Sequence, residues 1–139
     1  MSELFNIFNV SGSALTAQSL RLNTIASNMA NAQVVSQTPE GAYRAKLPLF
    51  AAVLQGAGNG ASGTGVRVAG VVESPAPPLA EYAPNHPLAN EQGYVFNPNV
   101  NVVEEMANMI SASRSYQNNV EVMNTTKQLL LRTLQLGQQ

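Results

Sequence analysis

At 139 residues the chain is long enough for one domain with a modest core, and its net charge of −1 comes from only seven basic residues and eight glutamates, with no aspartate. That balance excludes the strongly basic surface usual in nucleic-acid-binding domains, and the absence of cysteine excludes a disulfide framework and thiol chemistry. Fifteen asparagines and ten glutamines stand where charge is commoner, so repulsion between copies is weak and crowded packing is tolerable.

The first residues, MSELFNIFNVSGSALTAQ, carry no Lys or Arg ahead of their apolar positions and no long apolar run. Neither an ordinary cleaved signal peptide nor a membrane span is expected there. From here the spacing predicts a helix. Leu4, Phe8, Ser11, Leu15, Gln18, Leu22, Ile25 and Met29 follow the alternating four-and-three steps of a heptad seam, and Phe5, Ile7 and Ala26 widen the stripe. Gly12 weakens its early part.

The middle of the chain reads differently. Residues 43–50 (YRAKLPLF) and 65–73 (GVRVAGVVE) have short β-like runs, separated by a glycine-dense loop at 56–65. Five prolines between Pro75 and Pro87 are expected to keep SPAPPLAEYAPNHPLA out of regular structure, and GYVF at 93–96 adds a short strand. Beyond Pro98, taken as the helix start, a second seam runs Val102, Met106, Met109, Ser113, Tyr116, Val120, Met123, Lys127, Leu130 and Leu134, with Gly137 as the stop. So long a helical pattern points to a coiled coil or an assembly element. The expected fold is mainly α with a small β-containing insert: long N- and C-terminal helices forming a coiled-coil-like pair around a Pro/Gly-rich middle. The segments are 1–35 for the first helix, 36–98 for the insert and 99–136 for the second helix.

No reaction centre can be assembled from the polar residues. His86 is the single histidine, set between Asn85 and Pro87 without cysteine or aspartate to complete a metal site. The GAGNGASGTG run lacks the Gly-Lys-Ser/Thr ending of a phosphate loop, and the adjacent Glu104 and Glu105 suit a helix N-terminus better than paired acid–base work. No enzymatic activity, metal or cofactor is expected.

Two stretches carry a family resemblance. SGSALTAQSLRLNTIASNMANAQ, Ser11 to Gln33, is similar to the N-terminal signature of bacterial flagellar rod and hook proteins. In Tyr82 to Leu134, HP at 86–87, GYV at 93–95, PNVN at 98–101, EM at 105–106 and SRSYQNN at 113–119 fall in the order of the proximal-rod branch of that family. Asn90 stands where relatives often carry an acidic residue. The resemblance implies a structural subunit of the basal-body rod, crossing the periplasm and packing helically around the export channel. It further implies torque transmission from motor to hook. The implied partners are copies of itself, other rod proteins, a hook–basal-body adaptor protein and the flagellar type III export apparatus, with no nucleic acid and no membrane span. Another axial or adaptor protein of the rod, or a free coiled-coil binding protein, is the alternative. On this reading Leu15, Leu22, Ile25, Met29, Met106, Met109, Tyr116, Val120, Met123, Leu130 and Leu134 are expected to form the assembly interface. Asn23, Asn28, Asn31 and Asn119 are expected to supply its polar bonds.

Overall fold

The computed structural model describes residues 2–55 and 63–137. Helix α1 spans Ser2–Asn31 and helix α2 spans Val102–Leu136. Between them lie β1 (Lys46–Gln55), β2 (Gly63–Glu73), β3 (Leu79–Tyr82) and β4 (Tyr94–Asn97). The chain is thus mainly α with a small β insert, as its periodicity predicts. The strands form two separate two-stranded sheets, β1 with β2 and β3 with β4. Of the glycine-dense loop at 56–65, residues 56–62 lie outside the described residues, and Gly63 already belongs to β2.

The chain divides into two units. The first holds the N-terminal part of α1, residues 49–70 of the hairpin and the C-terminal part of α2. Within it the two helices pack together, Ile7 and the Asn118–Thr126 stretch lining one surface groove. Among the described residues Ala17 and Ala112 are the buried apolar side chains of this unit, Ala112 with no exposure at all. Alanines in such positions let backbones approach closely. The Oγ of Ser13 ties α1 to β2: it donates to the Val10 carbonyl at 2.7 Å and accepts the Val66 N–H at 3.1 Å.

The second unit holds residues 22–48 and 71–110. Its β3–β4 ladder is antiparallel, with Leu79 opposite Asn97 and Tyr82 opposite Tyr94, and Ser36 bridges to Phe96 beside it. β3 corrects the expectation that the proline-rich stretch lacks regular structure. Its four residues fall between Pro78 and Pro84, so no ladder position loses a donor to proline. The return into β4 turns at Gly93, whose φ of 79° lies in the left-handed region. Asn90 shapes this turn: its Oδ1 accepts the N–H groups of Gln92 and Tyr94 at 3.0 and 2.9 Å. His86 occupies the same loop, its Nδ1 accepting the Leu88 N–H.

α2 starts later than Pro98 suggests, because another residue supplies the cap. The Asn101 carboxamide oxygen accepts the N–H groups of Val103 and Glu104, and its carbonyl accepts that of Glu105. Asn101→Ala is expected to cost about 1 kcal/mol. The check is the thermal midpoint followed by circular dichroism at 222 nm, and an unchanged midpoint would remove the cap from the account. No Gly or Pro interrupts α2 up to Gly137, whose N–H closes on the Thr133 carbonyl where the helix ends.

Candidate assembly surface

Among the described residues of α1 the buried positions are Ser11, Ala17, Thr24, Ile25 and Asn28, of which Ser11 and Ile25 belong to the expected seam and the other three lie to one side of it. Ser11 and Ile25 are buried, and Leu4, Phe8, Leu15, Gln18, Leu22 and Met29 are half-buried, whereas Phe5, Ile7 and Ala26 are exposed and do not widen the stripe. Asn23 is exposed and Asn31 half-buried, its amide donating to the Ser27 carbonyl one turn back.

Asn28 is a different kind of residue. It is 1% exposed and, among the described residues, is the largest side chain to be buried so completely. Its Nδ2 donates to the Lys46 carbonyl at 2.9 Å, while its Oδ1 accepts the Lys46 N–H at 2.8 Å and the Tyr43 hydroxyl at 3.0 Å. The amide therefore matches the backbone at Lys46 much as a neighbouring strand would, and pins the start of β1 to α1. Tyr43 also lies 3.2 Å from the Ser27 hydroxyl. A second asparagine joins three segments of the same unit: Asn99 accepts the Ala45 N–H and donates to the Ala76 carbonyl, both at 2.7 Å. Sequence reading passed over Asn99, although the PNVN motif holds it.

In α2 the buried face is rotated from the expected seam. Its fully buried positions, Glu105, Ala112 and Thr126, all lie off that seam, and Asn108, Met109, Ser113, Ser115, Asn119, Val120, Met123 and Leu130 are half-buried around them. Val102, Met106, Tyr116, Lys127 and Leu134 of the expected seam are exposed, and Ser113 and Val120 half-buried. The expectation weighted large apolar residues. The fully buried positions among the described residues of α2 are instead Ala112, Thr126 and Glu105, with Met109, Met123 and Leu130 of the expected seam half-buried beside them. Thr126, although buried, donates to the Val122 carbonyl at 2.8 Å, and Asn119 donates to that of Ser115 at 2.8 Å. Such side chains present methyl and methylene groups outward while their polar atoms stay on their own helix. Where the helices pack, amides and hydroxyls therefore need no solvent.

Large apolar residues consequently lie on the outside. Val103 is 76% exposed and Ile110 57%, with Met106 between them at the helical spacing of one stripe, and Leu129, Leu131, Leu134 and Leu136 are exposed toward the other end of α2. A lone chain leaves these side chains in water, where their burial contributes nothing to its stability.

The chain thus carries a long helix at each end, with Ala17, Ala112 and Thr126 buried and large apolar residues exposed along α2. Two family models match the chain, one described as flagella basal body rod protein over residues 8–35 and one as the C-terminal part of flagellar basal body rod FlgEFG proteins over residues 91–136. Among curated relatives, the flagellar basal-body rod protein FlgC of Escherichia coli O6:H1 is 56% identical over 97% of this chain and 98% of its own length. The FlgC proteins of Salmonella typhimurium and Bacillus subtilis are 53% and 37% identical, over 97% and 96% of this chain and 98% and 97% of their own lengths. The chain belongs to the FlgC family of flagellar basal-body rod proteins. It is a structural subunit of the flagellar proximal rod, located in the basal body, and not an enzyme. Among the described residues no helix is long and apolar enough to cross a membrane.

Proposed function

We propose that this subunit completes its fold within the rod, where neighbouring rod proteins cover the apolar residues it leaves outside. The single observation supporting this reading is the inversion of size: small residues such as Ala17 and Ala112 are buried, while Val103, Met106, Ile110 and Leu134 are exposed. The burial that offsets the entropy of ordering two long helices is therefore incomplete in a lone chain. The interface comprises the outward residues Asn23, Met106, Tyr116 and Leu134. The half-buried Leu15, Leu22, Met29, Asn31, Met109, Asn119, Val120, Met123 and Leu130 join it at its margin. Ile25 and Asn28 act from within, holding the helix in shape.

In this reading residues 1–35 and 99–136 are the assembly helices, paired in coiled-coil fashion, and 36–98 form the insert. Copies pack helically with other rod proteins around the export channel and carry torque from motor to hook. A hook–basal-body adaptor protein and the flagellar export apparatus are the further partners. These details rest on the family to which the chain belongs.

The test replaces exposed apolar residues. Met106→Glu combined with Leu134→Glu is expected to leave the helicity and stability of the purified chain within about 0.5 kcal/mol of the parent. The same variant is expected to abolish both its recovery in purified hook–basal bodies and the motility of a strain relying on it. Normal motility with normal incorporation would sink the proposal.

A further inference from the structure

We propose that His86 is an acid-sensitive latch on the loop joining β3 to β4: its neutral imidazole holds a turn that protonation releases.

The loop runs from Ala83 to Gly93 and begins with two consecutive turns. The His86 N–H donates to the Ala83 carbonyl at 3.0 Å, and the Ala89 N–H donates to the His86 carbonyl at 2.9 Å. His86 is the last residue of the first turn and the first residue of the second. Pro84 and Pro87 stand at the second position of each, where a fixed φ favours turning. At its base the loop is closed by the Ala83 N–H on the Gly93 carbonyl and the Asn90 N–H on the Tyr94 carbonyl, both at 2.9 Å.

Two side chains brace this loop in the same way. The Oδ1 of Asn90 accepts the N–H two residues on, that of Gln92, at 3.0 Å. The Nδ1 of His86 accepts the N–H two residues on, that of Leu88, at 3.1 Å. The second brace repeats the geometry of an Asx turn with an imidazole in place of the amide. The acceptors differ in one respect. An amide oxygen does not titrate, whereas Nδ1 accepts only while the imidazole is neutral with its proton on Nε2. Protonation makes Nδ1 a donor facing another donor, and the bond to the Leu88 N–H is lost. Histidine changes charge between about pH 5 and 8, and His86 is the single histidine of the chain. Because the bond belongs to the neutral form, the second turn is braced at the upper end of that range and freed as pH falls.

The other titratable and charged side chains of the loop and its strands are Glu81, Tyr82, Glu91 and Tyr94. Glu81 accepts the Asn97 amide at 2.7 Å, and the two tyrosines pack ring against ring. Glu91 is exposed in the loop itself. The segment that Ser36 bridges to β4 carries Glu40 and Arg44. Among the described residues the hydrogen-bond partner of the imidazole is the Leu88 N–H. Release acts on Pro87 and Leu88, both exposed, so the outer surface of the loop loosens in acid while the β3–β4 ladder keeps its backbone bonds.

Amide hydrogen exchange followed by NMR on the full-length chain tests this, with each rate divided by the intrinsic rate at the same pH. Protection of the Leu88 N–H is expected to fall roughly fivefold between about pH 8 and about pH 5, in step with the His86 ring signals. The Gln92 N–H, braced by Asn90, is the internal control and should hold level. His86→Asn supplies an acceptor that does not titrate, so Leu88 should stay protected across the range. His86→Ala should leave Leu88 unprotected at both ends of it, and Glu91→Gln should keep the parent's response. A Leu88 protection that ignores the titration of His86 overturns the proposal. So does a pH response that persists in His86→Asn, one that disappears in Glu91→Gln, or an equal fall at Gln92.

Discussion

Replacing Asn28 with alanine is expected to lower the unfolding free energy of the chain by about 3 kcal/mol. The side chain is buried and both of its polar atoms are engaged with the backbone of a single residue, donating to the Lys46 carbonyl and accepting the Lys46 N–H, with the Tyr43 hydroxyl as a third partner. Alanine leaves those backbone groups without their partner in a site the surrounding chain has closed to water, and an unmatched buried group costs more than a hydrogen bond is worth on average. It also leaves a cavity. Two companion variants separate the contributions. Tyr43→Phe removes one hydrogen bond and is expected to cost about 1 kcal/mol. Asn28→Asp keeps the size but turns an acceptor toward the Lys46 carbonyl, so it should destabilise nearly as much as alanine near neutral pH. Urea unfolding, with the slope compared between variants, measures all three. An Asn28→Ala midpoint indistinguishable from the parent's would show that this amide does not hold β1 to α1.

Gly93→Ala is the second large effect, expected at about 2–3 kcal/mol. At a φ of 79° an L side chain is strained before any contact is considered. A Cβ built there would also lie 2.9 Å from Tyr82 Cε2 and 3.2 Å from Pro84 Cβ. Tyr82 can swing aside, since it is exposed, but doing so breaks its edge-to-face packing on Tyr94, where the ring centroids are 5.2 Å apart. The proline ring has no comparable freedom. Gly41→Ala is the matched control: Gly41 has no left-handed φ to lose, and its close neighbour at 2.8 Å is the rotatable Ser36 hydroxyl oxygen. The tyrosine bands of the near-ultraviolet circular dichroism spectrum should weaken in Gly93→Ala and persist in Gly41→Ala. Equal stability of the two variants would contradict the strained-turn account.

Because Asn28 and Gly93 act within the second unit, neither prediction depends on how copies meet. Both variants should therefore impair motility through loss of folded subunit rather than through a lost contact surface. Cellular abundance of the variant chain distinguishes these: it falls for Asn28→Ala and stays level for Met106→Glu with Leu134→Glu.

Much of the architecture was legible along the chain because its causes are local. Helix signals depend on neighbours three and four residues away, so the flanking helices could be read directly, as could the β-like runs and the stop at Gly137. The lack of Gly and Pro across α2 marked its length in the same way. What could not be read were the features that depend on distant partners. Asn28 looked like one more amide of a polar helix, but its role comes from Lys46, eighteen residues away, whose backbone N–H and carbonyl it matches. β3 was hidden because its prolines advertise irregularity and only the pairing with β4 makes Leu79–Tyr82 a strand.

The sequence by itself determined that two long helices flank a short β-containing segment. Only the tertiary structure decided which face of α2 turns inward. The physical reason is that apolar size does not set burial where helices pack closely. Ala112 and Thr126 fit that space, the threonine by bonding to its own helix, while Val103, Met106 and Ile110 are left for neighbouring subunits to cover.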